Sequence, residues 1–154
     1  MSDNFVLGLE CKLHFSATLV DDGSNTPDQI SWTEIGNAKD VTLNCETGEA
    51  DITTRANNGW RATAATLKDG SIEFEALWKP GDAAFDALQT AWAVGDEIAI
   101  AAMDGPIATV GKQGLAGNFT VTNFSRNEPL EEAVTVSITL KPSSFTDWYE
   151  VAAP

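Results

Sequence analysis

The sequence predicts a mainly β fold, an antiparallel sandwich or barrel flanked by one α-helix, in a single domain over residues 1–154. Three observations predict it. Apolar and polar residues alternate with period two in several separate stretches, the mark of half-buried strands. Only one segment, AAFDALQTAWAVG, carries an apolar stripe at helical spacing. The chain has 154 residues, 43% of them hydrophobic, which is enough to bury a core without disulfide staples.

Taken in order, Leu9, Cys11, Leu13, Phe15, Ala17 and Leu19 alternate with Glu10, Lys12, His14, Ser16 and Thr18. This predicts a strand over 9–19 with His14 on its polar side. Residues 21–27, DDGSNTP, are turn chemistry. A second strand region covers 32–35 and 41–45, broken near Gly36 and Asn37, and a long polar loop follows over 46–59. Alternation resumes at Trp60, Ala62 and Ala64. Lys68-Asp69-Gly70 reads as a tight turn joining this strand to 71–78, so the two form a hairpin.

The helix follows Pro80-Gly81-Asp82. Ala84, Phe85, Leu88 and Trp92 share a face, Asp82 and Asp86 sit at the positive end of the helix dipole, and Gly95 stops it after about three turns. A strand is expected over 97–103, a glycine-rich connection over 104–117, and a further strand over 119–124. Residues 127–130 form a loop. Val134, Val136, Ile138 and Leu140 alternate with Thr135, Ser137, Thr139 and Lys141 in the clearest strand pattern of the chain. The C-terminal SSFTDWYEVAAP is short and aromatic.

Composition narrows function. With 9 Lys+Arg against 23 Asp+Glu, the formal charge is −14, which repels nucleic-acid phosphates and anionic lipid surfaces. No apolar run has the length of a membrane span, and no secretory leader pattern is expected at the start. Cys11 and Cys45 lack metal-ligand spacing and His14 is the only histidine, so no metal site is expected. Both cysteines read as small buried hydrophobes in a reducing compartment. DDGSNTPD does not match a calcium-loop spacing and reads as a solvated turn.

Catalytic constellations are missing. A Ser-His-Asp triad would have to use His14, no GxSxG elbow occurs, and neither GxGxxG nor GxxxxGK[ST] is present, so no nucleotide cofactor is expected. Glu73 and Glu75 project from one strand face and form the one carboxylate pair open to a hydrolase reading, against which stands simple solvation of an exposed strand. Trp60 and Trp148 sit at element boundaries, where an acidic β-sandwich can hold a carbohydrate or peptide ligand; Trp78 and Trp92 are in phase with the core.

Set in order, SWTEIGNAKDVTL, ADITTRANNGWRATAATLKDGSIEFEALW and NEPLEEAVTVSITLKPSS resemble the major tail tube proteins of long-tailed, siphophage-type bacteriophages. The resemblance is carried by Trp32, Ile35 and Gly36; Asp51 to Thr54; Gly59 and Trp60; Leu67 to Gly70; and Pro129 to Ala133, and it covers about residues 5–145. It implies a β-sandwich with a flanking helix, copies of which close into hexameric rings. The rings stack into a hollow tube in the virion tail, assembled in the bacterial host cytoplasm, through which viral DNA passes without specific binding. The implied partners are further copies of the chain and the tape measure, tail terminator and tail tip proteins, with no membrane, cofactor or enzymatic activity. In that frame the polar loop reaches a neighbouring subunit or the next ring, with Asp51, Thr53, Arg55, Asn57, Asn58 and Trp60 as contact candidates, against the alternative of a merely mobile segment. Glu73 and Glu75 are the candidates for an acidic lumen wall.

Overall fold

A computed structural model describes residues 7–21 and 23–152. Seven strands and one helix follow one another: β1 (Lys12–Ser16), β2 (Thr33–Glu34), β3 (Ala38–Asp51), β4 (Thr63–Leu77), α1 (Ala83–Val94), β5 (Glu97–Met103), β6 (Gln113–Asn127) and β7 (Thr135–Glu150). All strand pairs are antiparallel, in the order β2-β1-β5-β6-β7-β4-β3. Register shifts between Gly117 and Phe119, and between Val121 and Asn123, let β6 and β7 bend along their length. The mainly β architecture with one flanking helix is the one the alternation predicts.

The helix forms where its stripe and caps place it. The Asp82 carboxylate accepts a hydrogen bond from the Phe85 N–H at 3.2 Å, and Gly95, at φ 85°, donates its N–H to the Ala91 carbonyl. Ala84, Phe85, Leu88 and Ala91 are buried against Ile72, Phe74, Ile100, Phe119, Val136 and Ile138 of the sheet. Phe85 meets Trp78 edge-on at 5.1 Å. Trp92 is half-exposed and stacks on Phe124 at 6.0 Å, so it caps the core edge and is not in the core itself.

The opposite sheet face is covered at one end only. There Ala101, Met103 and Ala116 pack under Trp32, Ile107, Tyr149 and Val151. His14 belongs to this second layer. It is 4% exposed, and the Ile107 N–H points at its Nε2 from 3.5 Å. The first strand is therefore shorter than 9–19, and its polar side is roofed by the β5–β6 connection and not solvated.

Five further expectations change. Residues 46–51 belong to β3, so the long loop shrinks to 52–62. Lys68-Asp69-Gly70 is not a turn. It lies inside β4, paired with Thr47, Glu46 and Cys45, and the hairpin is β3–β4 with its tip at 52–62. The glycine-rich stretch is half strand: β6 starts at Gln113, because Gly114 and Gly117 permit backbone approaches that a side chain forbids. A Cβ at Gly114 would lie 1.7 Å from the Ala102 carbonyl oxygen, and one at Gly117 would lie 2.3 Å from that of Phe145. The aromatic C-terminus is the second half of β7, paired with β6 from Gln113↔Glu150 inward. Cys11 and Cys45 are both exposed thiols, Cys45 because β3 is solvated along nearly its whole length and Cys11 because it precedes β1 on the surface.

Candidate assembly surface

β4 pairs with β7 only over 72–77. Beyond that, among the described residues 63–70 pairs as a strand with β3 alone, through Thr47↔Lys68, Glu49↔Ala65, Ala50↔Ala64 and Asp51↔Thr63. The distal half of the β3–β4 hairpin is thus a two-stranded arm, exposed along most of its length. A two-stranded ribbon is marginal in water, and both of its edges present unpaired backbone groups.

The arm ends in a hydrogen-bonded tip. The Asp51 carboxylate accepts from the Thr53 N–H at 2.9 Å, and the Thr53 hydroxyl accepts from the Ala62 N–H at 2.8 Å. Across the neck the Ile52 N–H donates to the Ala62 carbonyl. The Asn57 side-chain oxygen accepts from the Thr54 N–H, and the Asn57 carbonyl accepts from the Trp60 N–H. Asn58 and Gly59 turn the chain in left-handed geometry, at φ 55° and 80°. Hydrogen bonds from the Thr53 hydroxyl and then its N–H hold the Asp51 carboxyl below its ordinary pKa.

All six contact candidates meet on this tip, in two roles. Asp51, Thr53 and Asn57 direct their polar atoms inward and build it, and Asn58 makes its turn. Arg55 and Trp60 point to solvent, Trp60 with 79% of its surface exposed and Ile52 beside it with 54%. Residues 52–62 also include Arg61 and no acid, a local +2 that Asp51 at the neck reduces to +1, in a chain of −14.

Glu73 and Glu75 share the face of β4 turned away from α1, as their spacing requires. Glu73 is exposed between Thr42 and Thr139, whereas Glu75 lies between Lys39 and Ser137 and pairs with the Lys39 ammonium at 3.8 Å. The surrounding face is hydroxyl- and amide-rich, with Ser71, Asn123, Ser125, Thr135, Ser137 and Thr139. Trp148 stands apart from Trp60. It lines a cleft of about 470 Å³ with Leu115, Pro142, Cys45 and Gly70, and its indole N–H donates to the Gln113 side-chain oxygen at 2.9 Å. Among the described residues, no three His, Cys, Asp or Glu side chains cluster as metal ligands do.

Sequence reading missed Asn118. It is 2% exposed and clamps the segment after β1: its Oδ1 accepts from the Val20 N–H at 2.7 Å while its Nδ2 donates to the Val20 carbonyl and the Ser144 hydroxyl. Its position at the β6–β7 register shift has no signature in one sequence. Nearby, Glu97 accepts hydrogen bonds from the Ser143 and Ser144 hydroxyls, which lower its pKa.

The fold is thus a bent antiparallel sheet with one flanking helix and a projecting hairpin. The fold is similar to the tail of an empty gene transfer agent particle, solved with C6 symmetry, at TM-score 0.68 and 15% identity over 93% of this chain and 98% of that one. It is similar to the SPP1 tail tube at TM-score 0.68 and 18% identity, over 96% and 81% of the two chains. It also resembles the sheath–tube complex of an extracellular contractile injection system, at 0.61 and 10%, over 97% and 94%. No curated protein sequence matches the chain at a significant level. The chain belongs to the phage tail tube protein family, whose profile matches residues 17–144.

Proposed function

We propose that this protein is the repeating unit of a phage tail tube: copies close into hexameric rings, the rings stack, and viral DNA leaves through the lumen. The observation that carries this reading is the family match over 17–144 together with an arm whose outer edges and tip have no strand partner among the described residues. Inter-subunit strand pairing satisfies those edges, and burial of Trp60 offsets the entropy of ordering the arm. Asp51, Thr53 and Asn57 preform the tip, and Arg55, Asn58 and Trp60 contact a neighbour. The role is structural and not enzymatic. The proposed partners are further copies, then tape measure, tail terminator and tail tip proteins, in a virion tail put together in the host cytoplasm.

The polar face holding Glu73 and Glu75 is proposed to line the lumen, where its carboxylates repel phosphates and Lys39 is held by Glu75, leaving Lys141 as the other cation on that face. In a particle carrying Glu73→Lys and Glu75→Lys, DNA release slows and becomes salt-dependent; unchanged release places that face outside. The assembly itself is tested by negative-stain electron microscopy of the purified chain at rising concentration, with and without an initiating tail tip complex. Rings or hollow tubes are expected. Single particles of monomer size under every condition refute the proposal.

A further inference from the structure

The hairpin tip and the β6–β7 connection lie at opposite ends of β4. The strand starts at Thr63, beside the tip, and ends at Leu77, whose partner Thr135 directly follows that connection. Its 15 residues hold the two ends about 50 Å apart, at ~3.3 Å per residue.

The two ends are complementary. Residues 52–62 carry Arg55 and Arg61 and no acid, whereas 128–132 carry Glu128, Glu131 and Glu132 and no base. Each centres on a large apolar side chain left in water, Trp60 at 79% and Leu130 at 99% exposed. Glu128 is already engaged, 3.5 Å from Arg126, whose guanidinium lies over the Trp78 ring. Among the described residues, Arg55, Arg61, Glu131 and Glu132 have no ion-pair partner within the chain.

We propose that the arm tip of one copy docks on the 128–132 loop of a second copy, Trp60 packing on Leu130 while Arg55 and Arg61 face Glu131 and Glu132. This rests on the assembly reading above and names the acceptor surface. Tip and loop are different surfaces, so the contact can repeat head to tail, closing a ring or propagating a stack; a reciprocal two-fold pair would make it twice and stop at a dimer, which a cross-linked ladder distinguishes. It also gives the local charge a role. A basic tip on a −14 chain is attracted to the rest of another copy, where an acidic tip would be repelled.

Ala56 and Ala133 are exposed and flank the two contacts without belonging to them. In a chain with Cys11→Ser and Cys45→Ser, Ala56→Cys combined with Ala133→Cys gives, on oxidation of assembled material, a disulfide-linked ladder from dimer upward; neither cysteine alone gives one. No ladder from particles that microscopy shows to be assembled, or dimers from Ala56→Cys alone, overturns the docking. Charge reversal is independent of this. Arg55→Glu with Arg61→Glu, or Glu131→Arg with Glu132→Arg, raises the concentration needed for assembly in sedimentation velocity at least tenfold at unchanged melting temperature. Mixing the two variants restores assembly, since each reversed tip then meets a reversed loop. Wild-type assembly with both variants unaffected overturns the docking alone. A wild-type chain that never assembles overturns the assembly reading and the docking with it.

Discussion

Replacing Gly114 with alanine tests how closely β5 and β6 are pressed together. The new Cβ would lie 1.7 Å from the Ala102 carbonyl oxygen, 2.7 Å from its carbon and 2.9 Å from the Met103 Cα. Ordinary contact begins at 3.4 Å, so the two backbones must part by about 1.7 Å, the difference between 3.4 and 1.7 Å. That movement falls on the Met103↔Gly114 and Ala102↔Leu115 pairs. Overpacking costs about 1–3 kcal/mol, and each weakened backbone hydrogen bond adds about 1 kcal/mol. The stiffer unfolded chain returns about 0.5–1 kcal/mol. The net loss is about 2–4 kcal/mol, or a fall of about 5–15 °C in Tm for a chain of this size. Gly36→Ala is the control, because a Cβ there has nothing within 4 Å, and a change within about 0.5 kcal/mol is expected. Urea unfolding followed by far-UV circular dichroism, with both variants at the wild-type m value, measures the difference. A Gly114→Ala variant as stable as the Gly36→Ala control would refute the close approach of these strands.

Phe85→Ala removes the side chain that joins helix to sheet, fully buried and edge-on to Trp78. A loss of about 3–5 kcal/mol is expected in the same unfolding assay, and a loss below about 1 kcal/mol would mean that α1 does not seat through this ring. His14 sets a pH dependence. Burial lowers its pKa from 6.5, with Glu34 raising it, the Ala101 backbone raising it and Lys12 lowering it more weakly. The unfolded chain therefore takes up the proton first, so this contribution to stability is complete above pH 6.5 and is lost as pH falls from 6.5 toward the folded value. The depressed carboxylates Asp21, Asp51 and Glu97 act in a lower range, as pH falls below their unfolded values. A His14→Gln variant should show a flatter stability profile just below pH 6.5 than the wild type, measured by urea midpoints at successive pH values; parallel profiles would remove His14 from the account.

Where a residue's burial is decided by its own strand or helix, the sequence was enough. Val134 to Leu140, Ile72 to Ala76 and the Ala84-Phe85-Leu88 stripe read correctly because one face of each element meets the core and the other meets water. The reading failed where a second element came down on the outer face. His14 alternates as a solvent residue should, yet the connection over 104–112 roofs it. Lys68-Asp69-Gly70 has the composition of a turn and is held extended only because Thr47, Glu46 and Cys45 lie opposite. Gly114 and Gly117 looked like loop punctuation, whereas their lack of a side chain is what lets neighbouring backbones close on the strand. The six tip residues were found together because a hairpin tip is local in sequence. Their division into those that build the tip and those that face outward needed coordinates.

By itself the sequence determined the mainly β class, the single capped helix, the principal core strands and the acidic balance, and through its ordered segments it resembled the right family. All of these follow from periodicity and composition, which the chain carries locally. Only the tertiary structure decided that β3 and β4 extend past β7 into an arm, that a basic aromatic tip and an acidic loop stand at opposite ends of one strand, and that His14 and Asn118 are interior. These depend on which distant segments lie side by side, through strand pairings such as Gln113↔Glu150 and Ile72↔Leu140 that no short-range pattern specifies.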